Sequence, residues 1–265
     1  MTLPIKKIYI DTRFKTADSN SNSDFKIQLK SSYALPRDSV FYIEDFVASH
    51  AFYAVEQGIN NMFYFKLNSN FYVVTIPPSN YNGTTLASTL QSLINTVTTL
   101  TFSVVFSINQ NNLTITPPAG YNLFVLTDSD ILNSQGISSP GSTNDILNNG
   151  EATASYYTNI NPYVSGSLNL LCFRNLYLSS NNLSSFTTLG ARGESNIIKK
   201  IPVTSDYGYL IVDSFTSNHD WLDCSNTVLS NLEFQLKDVK GNLIPLHGSH
   251  VSFSIVFSKV NSELA

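Results

Sequence analysis

The amino-acid sequence predicts an all-β fold, a single jelly-roll β-sandwich with a small inserted α+β element that contains one short amphipathic helix. Apolar and polar residues alternate in many short stretches, one stretch has helical spacing, and no repeat of roughly 20–50 residues points to a solenoid or propeller. The 265 residues, 42% of them hydrophobic, suit one large β unit with a buried core. Charged residues make up only 13%, so Ser, Thr and Asn must supply much of the polar surface.

Four stretches alternate strictly and predict strands with one buried side and one solvent-facing side. Their apolar positions are Phe25, Ile27 and Leu29; Phe63, Phe65 and Leu67; Leu232, Phe234 and Leu236; and Val251, Phe253 and Ile255. The turn-forming residues Lys240, Gly241 and Asn242 lie between the last two stretches. They predict a hairpin connection at that point.

Five other stretches are apolar at both alternating positions. They span residues 40–47, 71–76, 102–108, 168–178 and 207–215. A strand of this kind has two apolar faces, and exposing either face to water costs free energy. Each is therefore predicted to be a central strand or a strand that something else covers.

One stretch, Thr84–Val97, has the spacing of an amphipathic helix. Its apolar positions are Leu86, Leu90, Leu93, Ile94 and Val97. Thr84 or Thr85 is the predicted N-cap, because a hydroxyl can accept a bond from a free amide of the first turn. The helix is short and one-sided, so we expect it to lie on a sheet.

The domain organisation follows from these elements. Residues 127–165 consist mostly of Ser, Asn, Gly and Thr and predict either a long loop or an extension ordered by contacts elsewhere. We therefore expect residues 1–68 and 166–265 to form the jelly-roll core. Residues 69–165 would then form the inserted α+β element with its long Ser/Asn-rich loop.

No constellation of side chains predicts chemistry, so we expect a protein that is not an enzyme and that needs no cofactor and no metal. His247 and His250 have the spacing of two metal ligands, but they lie in a predicted turn without a third ligand nearby. Cys172 and Cys224 are too few and too far apart for a disulfide framework. They predict two reduced thiols in a chain that folds in a reducing, intracellular compartment.

The charge balance limits the partners. The net charge of -4 argues against nucleic-acid binding through a broad basic face. The exception is the N-terminal segment, which could make at most a weak contact with nucleic acid. We favour a different interpretation of this segment, a solvated sheet edge that lysines protect. Its basic residues are Lys6, Lys7, Arg13 and Lys15. No window of about 18 apolar residues predicts a membrane span, and the first residues lack the apolar core of a secretory signal.

Nine segments carry a resemblance to a known family. They are Tyr9–Thr16, Asp24–Leu29, Ile76–Asn82, Leu178–Leu183, Gly190–Val203, Tyr207–Ile211, Leu232–Asn242, Leu246–Gly248 and Val251–Phe257. In this order they resemble the single jelly-roll penton, or minor capsid, proteins of virophages, of polinton-like viruses and of polintons. The similarity spans most of the chain and is weakest over residues 127–165.

The resemblance implies a structural virion protein. Such a protein forms a homopentamer at each icosahedral five-fold vertex, next to trimers of a larger double jelly-roll major capsid protein. The low charge and the many Tyr and Phe residues suit subunit interfaces, whose centres are depleted in Lys, Glu and Asp. Arg192, Gly193 and Glu194 are a candidate inter-subunit contact loop, in which Arg192 and Glu194 pair within one subunit or across two.

A second function remains open at this point. Aromatic and Asn-rich loops are also typical of receptor- or carbohydrate-binding β-sandwiches, such as fibre or lectin-like modules. Tyr156, Tyr157 and Tyr163 are the aromatic residues that favour this alternative.

Overall fold

The computed structural model describes residues 5–149, 161–183, 187–217 and 220–260, together with the backbone of 155–158. In chain order, the strands of this part are β1 (Lys6–Asp11), β2 (Asp24–Ala34), β3 (Ser39–Ser49), β4 (Met62–Leu67), β5 (Asn70–Thr75), β6 (Ser103–Ser107), β7 (Asn112–Thr116), β8 (Asn122–Val125), β9 (Ser155–Thr158), β10 (Tyr163–Val164), β11 (Asn175–Ser179), β12 (Ile197–Pro202), β13 (Leu210–Asp213), β14 (Leu222–Asp223), β15 (Val228–Lys237) and β16 (Val251–Lys259). The helices are α1 (Gly83–Thr98), α2 (Asp128–Gln135) and α3 (Asn144–Leu147), and a 3-10 turn spans Thr12–Phe14.

The chain forms two compact units, one of residues 1–52 with 173–265 and one of residues 53–172. The second unit is thus inserted in sequence between β3 and β11. The sequence placed this division at residues 69 and 165. The observed unit is longer because Phe63 and Phe65 of β4 are buried in its core, and so is Leu168 at its other end.

The first unit is a jelly roll, as predicted. Among the described residues, one sheet has the order β1-β16-β3-β13, with β14 also paired to β3, and the other has the order β12-β11-β15-β2. Every pair is antiparallel. Most connections carry the chain from one sheet to the other, which is the double Greek-key pattern of this fold.

Aromatic side chains from both sheets meet in the interior. Phe25 and Phe234 come from one sheet, and Phe253 and Phe46 come from the other. The ring centroids of Phe234 and Phe253 are 5.0 Å apart, and those of Phe46 and Phe253 are 6.3 Å apart. All four side chains are at most 2% exposed. Each contributes about 1.5–3 kcal/mol by leaving water, so this cluster holds the two layers together.

The predicted hairpin at residues 240–242 is wrong in one respect. The turn exists, since the Asp238 amide donates to the Asn242 carbonyl at 2.9 Å and Gly241 has a φ of 85°. It does not join two paired strands, however, because β15 and β16 belong to different sheets. Alternation locates each strand and its buried face, whereas the jelly-roll connectivity decides which strands pair.

The second unit contains two small sheets and α1. The sheets have the orders β5-β4-β8-β9 and β10-β7-β6. The apolar face of α1 packs into the unit's core through Leu86, Leu90 and Ile94, as predicted. Leu93 is partly buried, but Val97 is 43% exposed, and Thr98 takes the buried position by donating its hydroxyl to the Ile94 carbonyl.

The N-cap of α1 is Asn82, neither Thr84 nor Thr85. Its carboxamide oxygen accepts from the Thr85 amide at 2.9 Å, and the Thr85 hydroxyl accepts from the Asn82 amide at 3.0 Å. Asn therefore caps here in a reciprocal capping box, and the helix begins one residue earlier, at Gly83.

Of the two possibilities for residues 127–165, the long loop is wrong for the part that the structure describes, which is an extension ordered by contacts with the core of the second unit. That part contains α2, α3, β9 and β10. Ile131, Ile146 and Leu147 are at most 1% exposed and anchor the segment. Thr127 and Asp130 form a capping box at the start of α2. The prediction therefore missed a short helix signal inside a Ser- and Asn-rich sequence.

Candidate functional site

The sheet orders leave the jelly-roll unit with two open sides. One side carries β1 and β2, the other β12 and β13 with β14, because these strands end their sheets. On the first side, Lys6 of β1 donates to the Tyr33 hydroxyl of β2 at 2.6 Å. On the second side, Lys199 of β12 meets Asp213 of β13. These open sides are the candidate interaction surfaces of the unit.

The Lys199–Asp213 ion pair joins the two sheets at the second side. Its nitrogen and oxygen are 3.4 Å apart, and each side chain is only 10% exposed. The Lys199 ammonium also donates to the carbonyls of Ile43 and Phe215, both at 3.1 Å. Asp213 in turn accepts from the Phe215 amide at 3.0 Å. Sequence analysis missed this pair, whose one signal is that alternation places Lys199 on the same side of β12 as the buried Ile201.

A cavity of about 440 Å³ opens beside this ion pair. Its apolar lining includes Ile43, Ile197, Phe215 and Leu222, and Thr188 contributes a hydroxyl. Because both sheets contribute lining residues, the sandwich is incompletely closed along this side.

The surface around β13 and β14 is apolar and acidic; we call residues 206–223 the β13–β14 edge. Its exposed large apolar side chains are Tyr207, Tyr209, Leu210, Val212, Phe215 and Trp221. Asp206, Asp220 and Asp223 are also exposed. None of these three carboxylates is in an ion pair with another described residue.

The opposite surface is basic; we call residues 5–15 the β1 edge. Tyr9 and Phe14 are its most exposed aromatic side chains, at 74% and 78%. Lys6 and Lys15 donate to neutral oxygens, those of Tyr33 and Asn22, so both keep an uncompensated positive charge.

The other two basic residues of this edge are neutralised inside the chain. Lys7 pairs with Glu44, and this bond raises the pKa of Lys7. Arg13 binds both carboxylate oxygens of Asp11, and its hydrogen bonds hold the pKa of Asp11 below the ordinary value. The four basic residues singled out for nucleic acid thus have partners within the chain, and only two leave a net charge.

The candidate contact loop is tied to its own subunit. The Arg192 guanidinium donates to the Lys240 carbonyl, and the Glu194 carboxylate accepts from the Arg192 amide at 3.1 Å. Gly193 has a φ of 90°, a conformation that favours glycine. Arg192 and Glu194 are not among the ion pairs of the described residues. Hydrogen bonds within the subunit therefore hold this loop in place. The neighbouring Leu189 is 81% exposed.

Other residues singled out in the sequence contribute no site. His247 is exposed in a turn with a φ of 47°, and the His250 ring contacts the Thr12 hydroxyl at 3.2 Å. The described residues contain no group of three His, Cys, Asp or Glu side chains able to hold a metal ion. Neither Cys172 nor Cys224 forms a disulfide.

Of the three tyrosines that favoured the carbohydrate-binding alternative, the structure describes the side chain of one. Tyr163 is 1% exposed and donates its hydroxyl to Asn149, so it is a core residue and cannot stack on a sugar. The side chains of Tyr156 and Tyr157 lie outside the described residues.

No helix of the described residues combines the length and apolarity needed to cross a membrane. No family model matches the sequence, and no curated protein matches it. Among solved structures, the crystal structure of the mavirus penton protein is similar, with a TM-score of 0.53 and 9% sequence identity. The match covers 96% of this chain and 100% of that chain. The predicted resemblance to a virophage penton protein is thereby confirmed at the level of the fold.

Proposed function

We propose that the chain is a structural virion protein, the penton protein that forms homopentamers at the five-fold vertices of an icosahedral capsid. The observation that carries this proposal is the fold likeness to the mavirus penton protein over nearly the whole length of both chains. The likeness includes the inserted unit, which a match to the jelly roll alone would leave out.

The surface of the jelly-roll unit supports the same function. A pentamer is a head-to-tail ring, so each subunit must present two different surfaces to its neighbours. The β1 edge and the β13–β14 edge differ in charge and both expose large apolar side chains. Such surfaces suit interfaces, whose cores are enriched in aromatic residues.

The finer parts of the proposal concern the place and the partners. The pentamer would reside in the virion, after assembly inside the host cell, and trimers of a double jelly-roll major capsid protein would surround it. The loop of Arg192, Gly193 and Glu194, ordered by its own subunit, would offer a rigid contact through Leu189. We propose no catalytic activity and no cofactor.

Native mass spectrometry of the purified chain tests this function. A penton protein should give a species of about five times the 29.3-kDa chain mass, and negative-stain images should show five-fold rings. A chain that stays monomeric at every concentration, or that forms two-fold dimers only, would refute the proposal. Coexpression with the major capsid protein of the same genome should then place the rings at the vertices of closed particles.

A further inference from the structure

The edge strand β13 is unusual for the free rim of a sheet. Its outward side chains Leu210 and Val212 are 57% and 54% exposed, while Ile211 between them is fully buried. Free edges normally carry lysines or other devices that keep foreign strands away, and residues 203–223 contain no Lys or Arg. The sequence pattern of two apolar faces called for a central strand or a covered one, and β13 is not central. No described residue covers the exposed face of β13, so we expect another molecule to cover it.

Charge identifies what covers it. Residues 203–223 contain four Asp, whereas residues 5–37 of the opposite side contain seven Lys and Arg against three Asp. A β13–β14 edge that faced its own copy across a two-fold axis would bring carboxylates against carboxylates. The same edge facing the β1 side of another copy would bring opposite charges together, with apolar residues on both surfaces.

On this ground we propose that the β13–β14 edge of one copy binds the β1 edge of the next copy, and that this contact builds the ring. The proposal rests on the proposed function and adds which two surfaces meet. Tyr209, Leu210 and Val212 would pack with Tyr9 and Phe14 of the neighbour. The exposed Asp206 and Asp223 would lie opposite Lys6 and Lys15, the two of the four basic side chains of the β1 edge that form no ion pair with a described residue.

The Lys199–Asp213 pair fits this arrangement. It holds the last residue of β13 against β12 with both side chains largely buried. The two charges neutralise each other within the subunit. The pair therefore positions the β13–β14 edge but supplies no charge to the contact. Asp206 and Asp223 lie outside that network and remain available to a neighbour.

Charge reversal tests the contact. The β13-side variant is Asp206→Lys with Asp223→Lys, and the β1-side variant is Lys6→Glu with Lys15→Glu. Each should lower the fraction of pentamer at least tenfold at a concentration where the wild type is fully assembled. The combined four-residue variant carries inverted but complementary edges and should regain most of the pentamer.

A matched control changes the same number of charges elsewhere. Lys66→Glu with Arg174→Glu alters β4 of the inserted unit and the residue before β11, neither of which belongs to either edge, and should leave the pentamer unchanged. Circular dichroism melts of all variants within about 3 °C of the wild type would show that loss of assembly is not loss of folding.

The outcomes separate the two proposals. If the wild type forms pentamers and either reversal leaves them intact, the contact is wrong while the penton function stands. If the single reversals abolish pentamers and the combined variant does not recover them, direct pairing of these edges is refuted. If the wild type itself never assembles, the penton function fails and the contact fails with it.

Discussion

Replacing Asp213 by Asn should destabilise the jelly-roll unit more than an exposed ion pair would allow. The charges of Lys199 and Asp213 lie 3.4 Å apart, and both side chains are 90% buried. Their attraction amounts to about 5 kcal/mol at an effective dielectric constant of about 20, against a desolvation cost of several kcal/mol for each ion. Asn keeps the size of the side chain and its bond to the Phe215 amide but leaves the ammonium without its counter-charge.

We expect Asp213→Asn to lower the free energy of unfolding by about 3 kcal/mol, the lower end of the range for breaking a buried pair. The lower end applies because Lys199 keeps two carbonyl acceptors, those of Ile43 and Phe215. Adding Lys199→Met removes the stranded charge and should restore most of the stability, since an apolar side chain suits the cavity beside it.

Urea unfolding followed by tryptophan fluorescence measures this effect in the jelly-roll unit, which contains the Lys199–Asp213 pair. Trp221 is the only tryptophan of the chain and packs edge-on against Tyr42 of β3, with ring centroids 4.5 Å apart. A loss below about 1 kcal/mol for Asp213→Asn, which is typical of a surface change, would refute the reasoning. So would a double variant less stable than the single one.

Three further predictions concern local features. Asn82→Ala should cost about 1 kcal/mol and Asn82→Gly only a few tenths, because Asn82 caps α1; thermal melts followed by circular dichroism compare the two, and equal losses would contradict the cap. Gly83→Ala should cost about 1–3 kcal/mol in urea unfolding, because its Cβ would overlap the Phe106 ring, and adding Phe106→Leu should recover part of the loss. Burial raises the pKa of the Cys224 thiol to about 12, above the roughly 8.5 of an unfolded chain, so the unfolded state loses this proton first. The free energy of unfolding should therefore fall as the pH rises through this interval, and Cys224→Ala, which has no proton to lose, should show a smaller slope in urea titrations at several pH values.

The sequence predicted the strands and their buried faces well, because alternation reports burial directly. Phe25 and Ile27 of β2 and Phe234 of β15 are buried where the pattern placed them. It was less informative about which strands pair, since pairing depends on contacts between residues far apart in the chain. The supposed hairpin at residues 240–242 shows this limit: its turn is real, but the strand that follows joins the other sheet.

The candidate interaction surfaces were only partly predictable from the sequence. The two apolar faces of residues 207–215 predicted a strand that is either central or covered by something else. The sequence alone could not distinguish a central strand from an edge strand covered by a neighbour. The Lys199–Asp213 pair was hidden because its members are 14 positions apart and meet only when two sheets close. Within residues 127–165, the helix α2 was hidden because its polar residues outweigh the single fully buried anchor, Ile131.

An odd-numbered ring gives the proposed contact a consequence that an even-numbered ring would not have. In a mixture of the β1-side and β13-side reversal variants, each edge of one variant is complementary only to an edge of the other. Subunits must then alternate, and alternation cannot close a ring of five without one contact between like charges. The mixture should therefore form dimers and short open chains at low salt, where exposed charges act over about 10 Å or more, and native mass spectrometry should find no abundant pentamer. The four-residue variant has no such conflict and closes at five. Pentamers as abundant in the mixture as in the wild type would mean that the ring tolerates a like-charge contact and that these edges do not govern its closure.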